Sequence, residues 1–191
     1  HELQKSFPNV TVIRSEENKG FAGGNNIGIK VAEERGRDYV LLLNNDTTVD
    51  PGFLDAMVAA AETDDQIGIV GAKIYYHAEP EMIWYDGGSF SWRRGVQHAH
   101  IGTRDAQPND AMPRRTDFIT GCAMLVRMSA LKKIGLLEES FFMYHEDADW
   151  CLRARKGGFL LMVAPGAHVW HKVARSAVTM GEPVIHYYDA R

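Results

Sequence analysis

At 191 residues, with 45% hydrophobic and 24% charged residues, the chain is long enough to bury the core of one domain. A formal net charge of −4 and the lack of any basic run exclude an electrostatic nucleic-acid surface. No stretch approaches the ~20 consecutive apolar residues of a membrane-spanning helix. Cys122 and Cys151 sit in separate apolar segments without CxxC or metal-like spacing, so they read as buried thiols.

Taken in order, His1 to Phe7 reads as the end of a helix, broken by Pro8. Val10-Thr11-Val12-Ile13 reads as a short strand. The series Glu17 to Ile29 reads as a glycine-rich loop running into a helix from Asn26 to about Arg35, stopped by Gly36. Such a loop can bring backbone N–H groups close to a phosphate, or can serve only as a turn. Its spacing is neither GxGxxG nor a P-loop.

Tyr39-Val40-Leu41-Leu42-Leu43 is a continuous apolar run, the pattern of a central parallel strand buried on both faces. It ends in Asn44-Asn45-Asp46-Thr47-Thr48. The carboxyl end of a buried strand is where open α/β sheets bind ligands, and a carboxylate with flanking amides can hold a hard cation. Asp50, before Pro51, is the expected cap of an alanine-rich helix from Phe53 to Glu62. Ile67 to Tyr76 reads as another strand. From Asp86 to Arg115 the pattern dissolves into a long irregular loop, with room for a short hairpin. Trp84, Trp92, Arg93, Arg94, His98 and His100 in and beside it could contact a sugar or phosphate, or simply pack locally. Asp117 to Val126 reads as a strand, Ser129 to Ile134 as a short helix capped by Ser129 and ended by Gly135, and Phe159 to Val163 as a last strand. His168 and His171 are three apart, which on a strand places them on opposite faces.

The stretch Phe141 to Trp150 stands out. Glu146, Asp147 and Asp149 follow an aromatic run and open a segment that ends in Arg153, Arg155, Lys156 and Gly157, the charge order of a helix. A carboxylate against apolar walls can be tuned towards a general base, although acids at a helix start also serve the dipole alone.

In order and spacing, ENKGFAGGNNIGI, LLLNNDTTVDPGF, TGCAMLV, FFMYHEDADWCLRARKGGF and VWHKVARS resemble the family 2 inverting glycosyltransferases, most of all their rhamnosyl- and galactofuranosyltransferase branch. The resemblance implies an α/β fold of the GT-A type: a nucleotide-binding sandwich with a mostly parallel central sheet, with residues 1–191 as one such domain. It also implies transfer, with inversion, from a dTDP- or UDP-sugar to a saccharide or lipid-linked glycan of a surface polysaccharide. Asp147 would be the base, beside Glu146. Asp46, at the DxD-type position, and His171 would hold Mg²⁺ or Mn²⁺. Asn18, Gly20, Gly23, Asn25 and Asn44 would line the donor. The family's first acidic position is Asn44 here, which leaves metal binding to fewer carboxylates. The usual N-terminal strand–helix–strand has no match, so the sequence is expected to begin roughly forty residues late, about the length of one βαβ unit. The resemblance places such a protein in the cytoplasm, at the inner face of the membrane. Two other readings stay open: a non-catalytic carbohydrate- or nucleotide-binding module, and a metal-dependent hydrolase built from His171, Asp46 and Asp147.

Overall fold

A computed structural model describes residues 2–91 and 93–172. Trp92 and residues 173–176 of the last quoted motif lie outside the described residues. In chain order the elements are α1 (Glu2–Ser6), α2 (Gly20–Glu34), β1 (Tyr39–Leu43), β2 (Thr47–Val49), α3 (Phe53–Ala61), β3 (Ile67–Tyr76), β4 (Ile83–Tyr85), β5 (Gly88–Ser91), β6 (Gly95–His98), β7 (Arg114–Arg115), β8 (Ala123–Arg127), α4 (Met128–Ile134), α5 (Glu146–Lys156) and β9 (Leu160–His171). A 3₁₀ turn at Glu139–Phe141 precedes α5.

β3 is the axis of the fold. Nine of its ten residues are buried, as a strand covered on both faces requires. The main sheet runs β1-β8-β3-β9-β2, with β4 folded back on β3 and β7 on β9, while β5 and β6 form a separate hairpin. α3 packs on β9 and β3, and α5 on β9, β3 and α4. Trp150 and Tyr85 are fully buried in the core between them. Both satisfy their polar atoms: Trp150 Nε1 donates to the Gly135 carbonyl at 2.8 Å and Tyr85 Oη to the Phe118 carbonyl at 2.7 Å.

The expectation of a mostly parallel sheet is corrected. Among the described residues β3–β9 is the one parallel pair, and the sheet is mixed. Strand direction follows from the connections, and hydropathy does not record it: an apolar run looks the same in either sense. β1 is likewise corrected from a central strand to an antiparallel partner of β8 alone, half-buried, with Leu43 exposed. No strand forms at Val10–Ile13, and β8 starts at Ala123 rather than Asp117. Asp50 caps the turn before α3, accepting from Gly52 N at 2.9 Å, while Gly52 occupies the cap position. Ser129 lies inside α4, whose cap position is Arg127.

The pairing of β3 with β9 shifts register twice, between Ile67 and Ile69 and, by more, after Ala72. Ala72 faces Ala164, and the next residue, Lys73, faces His168, so Pro165, Gly166 and Ala167 stand outside the ladder as a bulge.

Candidate active site

α5 begins as its charge order predicts, with three acids in the first turn and Arg153, Arg155 and Lys156 in the last. The chain reaches it through an unusual backbone. Phe142, Tyr144 and His145 have φ of 59°, 69° and 68°. Each such residue costs on the order of 1–3 kcal/mol, and residues of this kind concentrate at functional sites. This turn brings Asp147 onto the loop before β8. Its Oδ2 accepts from Gly121 N at 3.0 Å and its Oδ1 from Ala148 N at 2.8 Å. Asp147 keeps partial exposure, yet burial pushes its carboxyl upwards against the pull of those two N–H groups and of the His98 and His145 rings. Glu146 is buried, with Oε2 unpartnered. Burial first, then the Asp147 charge, pushes Glu146 up to about 7.

The glycine-rich segment is no loop. α2 starts at Gly20, six residues earlier than the apolar pattern implies, because Asn18 Oδ1 accepts from Gly20 N at 3.0 Å and opens the first turn. Gly20, Gly23 and Asn25 are therefore helical. Gly20 has φ +67°, and a Cβ there would come within 2.2 Å of the Phe142 carbonyl oxygen. The Phe21 amide donates to that same carbonyl at 2.7 Å. A Cβ on Gly23 would meet the Lys19 side chain at 2.7 Å and that of Glu139 at 3.5 Å. Asn25 turns inward on its own helix, its Nδ2 donating to the Phe21 carbonyl. Asn26, fully buried, exchanges two hydrogen bonds with the Leu137 backbone, at 2.9 and 3.0 Å. The segment thus clamps the strained turn that delivers Asp147.

At the end of β1, Asn44 N donates to the Cys122 carbonyl, and its own carbonyl accepts from Thr47 Oγ1. Asp46 then meets His171 at the end of β9, Oδ1 to Nε2 at 3.1 Å. Burial pushes the His171 imidazole below its usual range, though Asp46 pulls it up. His168 takes the other face, its ring against Tyr75 at 5.6 Å, so the two histidines do separate as their spacing requires.

A line of rings links the two halves. Trp84 lies edge-on to His171 at 4.8 Å and to His98 at 5.1 Å, and His98 stacks on Phe118 at 5.8 Å. His98 Nδ1 lies 3.2 Å from the Trp84 carbonyl. Beside it, a cavity of about 530 Å³ opens between the β5–β6 hairpin and residues 114–117, lined among others by Asp86, Ser89, Gln97, His98, Arg114 and Thr116. Asp86 is buried in its wall, ion-paired to Arg114 at 2.6 Å and 3.1 Å from His100 Nδ1.

The profile of "Glycosyltransferase like family 2" matches residues 1–180. The chain belongs to glycosyltransferase family 2. It is 30% identical, over 94% of its own length and 64% of the relative's, to N-acetylglucosaminyl-diphospho-decaprenol L-rhamnosyltransferase of Mycobacterium tuberculosis. It is 21% identical, over 95% of its length and 61% of the relative's, to dTDP-rhamnosyl transferase RfbF of Shigella flexneri. The chain therefore spans less than two thirds of either relative. Among solved structures it resembles GalNAc-T7 with UDP, GalNAc and Mn²⁺, at a TM-score of 0.67 and 16% identity, covering 89% of this chain and 34% of that one. That likeness shows the fold, which is of the GT-A type.

In this family member the chemistry of Asp46 and His171, a carboxylate and an imidazole, suits a divalent cation. Asp46 Oδ1 and His171 Nε2, 3.1 Å apart, are a carboxylate oxygen and an imidazole nitrogen close enough to be held by one ion. Among the described residues no group of three or more His, Cys, Asp or Glu gathers to hold a metal. Such an ion would therefore take further oxygens from diphosphate and water, as Mg²⁺ commonly does. Gly121, in the T-G-C step, and Asn26, in the doubled Asn25-Asn26, also support this site through contacts that no local pattern reveals. No helix among the described residues is long and apolar enough to cross a membrane.

Proposed function

We propose that residues 1–191 form one GT-A domain of an inverting glycosyltransferase. It moves a sugar, rhamnose being the first to test, from a dTDP- or UDP-sugar to a saccharide or lipid-linked glycan. Asp147 takes the proton from the acceptor hydroxyl. The freed oxygen forms its bond to the anomeric carbon on the face opposite the leaving group, and the bond from that carbon to the diphosphate oxygen breaks. Glu146 stands beside the base. Asp46 and His171 would hold Mg²⁺ or Mn²⁺, which when bound offsets the charge that grows on the leaving diphosphate. Asn18 and Asn44 would lie along the donor side, where Gly20, Gly23 and Asn25 would act through the turn that α2 clamps. An acceptor carried on a lipid would keep the protein at the inner face of the cell membrane, in the cytoplasm.

The observation that carries this reading is the placement of Asp147. It is a partly buried carboxylate fixed by two backbone N–H groups, one of them from Gly121 on the loop before β8. The names of the two relatives support rhamnose and a lipid-diphosphate acceptor. The test is Asp147→Asn, followed by acceptor-dependent consumption of dTDP-rhamnose. Turnover should fall by roughly 10²–10⁴ with the circular dichroism spectrum unchanged. Unaltered turnover would remove Asp147 from the role of base.

A further inference from the structure

We infer that the cavity under the β5–β6 hairpin is the acceptor subsite and takes a saccharide, with His98 as the side chain that positions its hydroxyl. This inference rests on the transferase reading above. It begins with connectivity. The hairpin is tied to the segment leading to Asp147: Gly88 N donates to Thr116 Oγ1 at 2.8 Å, Asp117 N to the Gly88 carbonyl at 3.1 Å, and Gly88 bridges Phe118. Three residues further on, Gly121 N holds the Asp147 carboxylate. The cavity is therefore walled by residues 114–117, which run on into the loop that fixes the base, and His98 in its wall touches Trp84, which touches His171.

The lining suits a hydroxyl-rich ligand. Ser89 and Gln97 offer a hydroxyl and an amide group, and its volume lies within the range of small-molecule sites. Its acids are already matched, Asp86 by Arg114 and Asp117 by Arg155 at 3.0 Å. An uncharged sugar can thus enter without leaving a carboxylate uncompensated. His98 has a determined tautomer. A carbonyl oxygen only accepts, so Nδ1, facing the Trp84 carbonyl, carries the proton. Nε2 is then the lone-pair nitrogen of a ring that lines the cavity, and it accepts from a sugar hydroxyl. Stacking on Phe118 and edge contacts with Trp84 and Tyr85 fix the ring plane.

The test is a titration of the ¹⁵N-labelled full chain with 4-nitrophenyl glycosides of N-acetylglucosamine, rhamnose and galactose, and separately with dTDP and Mg²⁺. A glycoside should shift the amides of Ser89, Gln97 and Ala99, whereas dTDP–Mg²⁺ should shift those of Asp46 and Lys172. His98→Phe keeps the ring stack and should weaken glycoside binding about tenfold, the share of one hydrogen bond, with the dTDP–Mg²⁺ Kd unchanged. A merely structural role for His98 would move both constants. Ser89→Trp, at an exposed position on the cavity wall, should abolish the glycoside shifts with the fold intact. Glycosides that leave the three amides unmoved, or that bind both variants as they bind wild type, overturn the inference. A glycoside response with no nucleotide response overturns the transferase reading instead and leaves the cavity a saccharide site.

Discussion

At Glu146 a carboxyl has been taken out of water with no hydrogen-bond partner for Oε2. Its value in the fold, about 7, lies above the usual 4.5. Folding therefore holds its proton more tightly than the unfolded chain does. Its contribution to stability is complete below about 4.5 and is lost as pH rises to about 7. The loss is about 3 kcal/mol, and Glu146→Gln should abolish that part of the slope. Urea titrations at pH 4.5 and pH 8 check it: the variant and wild type should agree at the lower pH, and the variant should be the more stable at the higher. Asp147, one residue on, has N–H partners on both oxygens and can stay a base beside it. The sequence shows three acids in four positions. It does not show which oxygen finds an amide, because that depends on Gly121, 26 residues away.

At the scale of elements, α2 shows two uses of glycine. Gly20 is required twice over, by its φ of +67° and by the Phe142 carbonyl where a side chain would stand. Gly20→Ala should cost roughly 1–3 kcal/mol or more, and it should also loosen the turn that carries Asp147. Gly28 has nothing within 4 Å of a Cβ position. Gly28→Ala should therefore stabilise the chain by about 0.5–1 kcal/mol. Opposite shifts of the urea midpoint in the two variants are the expected result, and shifts of one sign would refute the clamp. The boundaries of β3, α3 and α5 are legible because their apolar period or charge order is strong. The start of α2 is not, since glycines signal a loop locally and only the close approach of residues 139–142 makes them helical.

On the scale of the molecule, two distant ends of the sequence, Asp46 and His171, are closed on each other by the β2–β9 pairing, in which Thr47 faces His171. Saturating dTDP and Mn²⁺ should stabilise the fold by ~2.7 kcal/mol at about 100 times Kd. Asp46→Asn should remove the part of this that depends on the metal, as read by thermal unfolding with and without EDTA. The motif order was enough to anticipate the GT-A fold and the meeting of Asp46 with His171. The direction of the strands was not readable, because β1 and β3 present similar apolar runs although one has a single antiparallel neighbour and the other is central. Nor was the cavity: its walls come from residues 86–100 and 114–117, whose local pattern is irregular and whose company is set by long-range pairing.

The bulge in β9 decides which histidine stands beside Asp46. Without Pro165, Gly166 and Ala167 outside the ladder, Tyr76 would face His168 in place of His171. Three is an odd number, so the excursion also exchanges the two faces of everything downstream. A β9 that drew those three residues into the ladder would keep every side chain in its sequence and offer a different histidine at the end of the sheet. In this molecule the histidine that meets Asp46 is set by counting, several residues before the histidine itself.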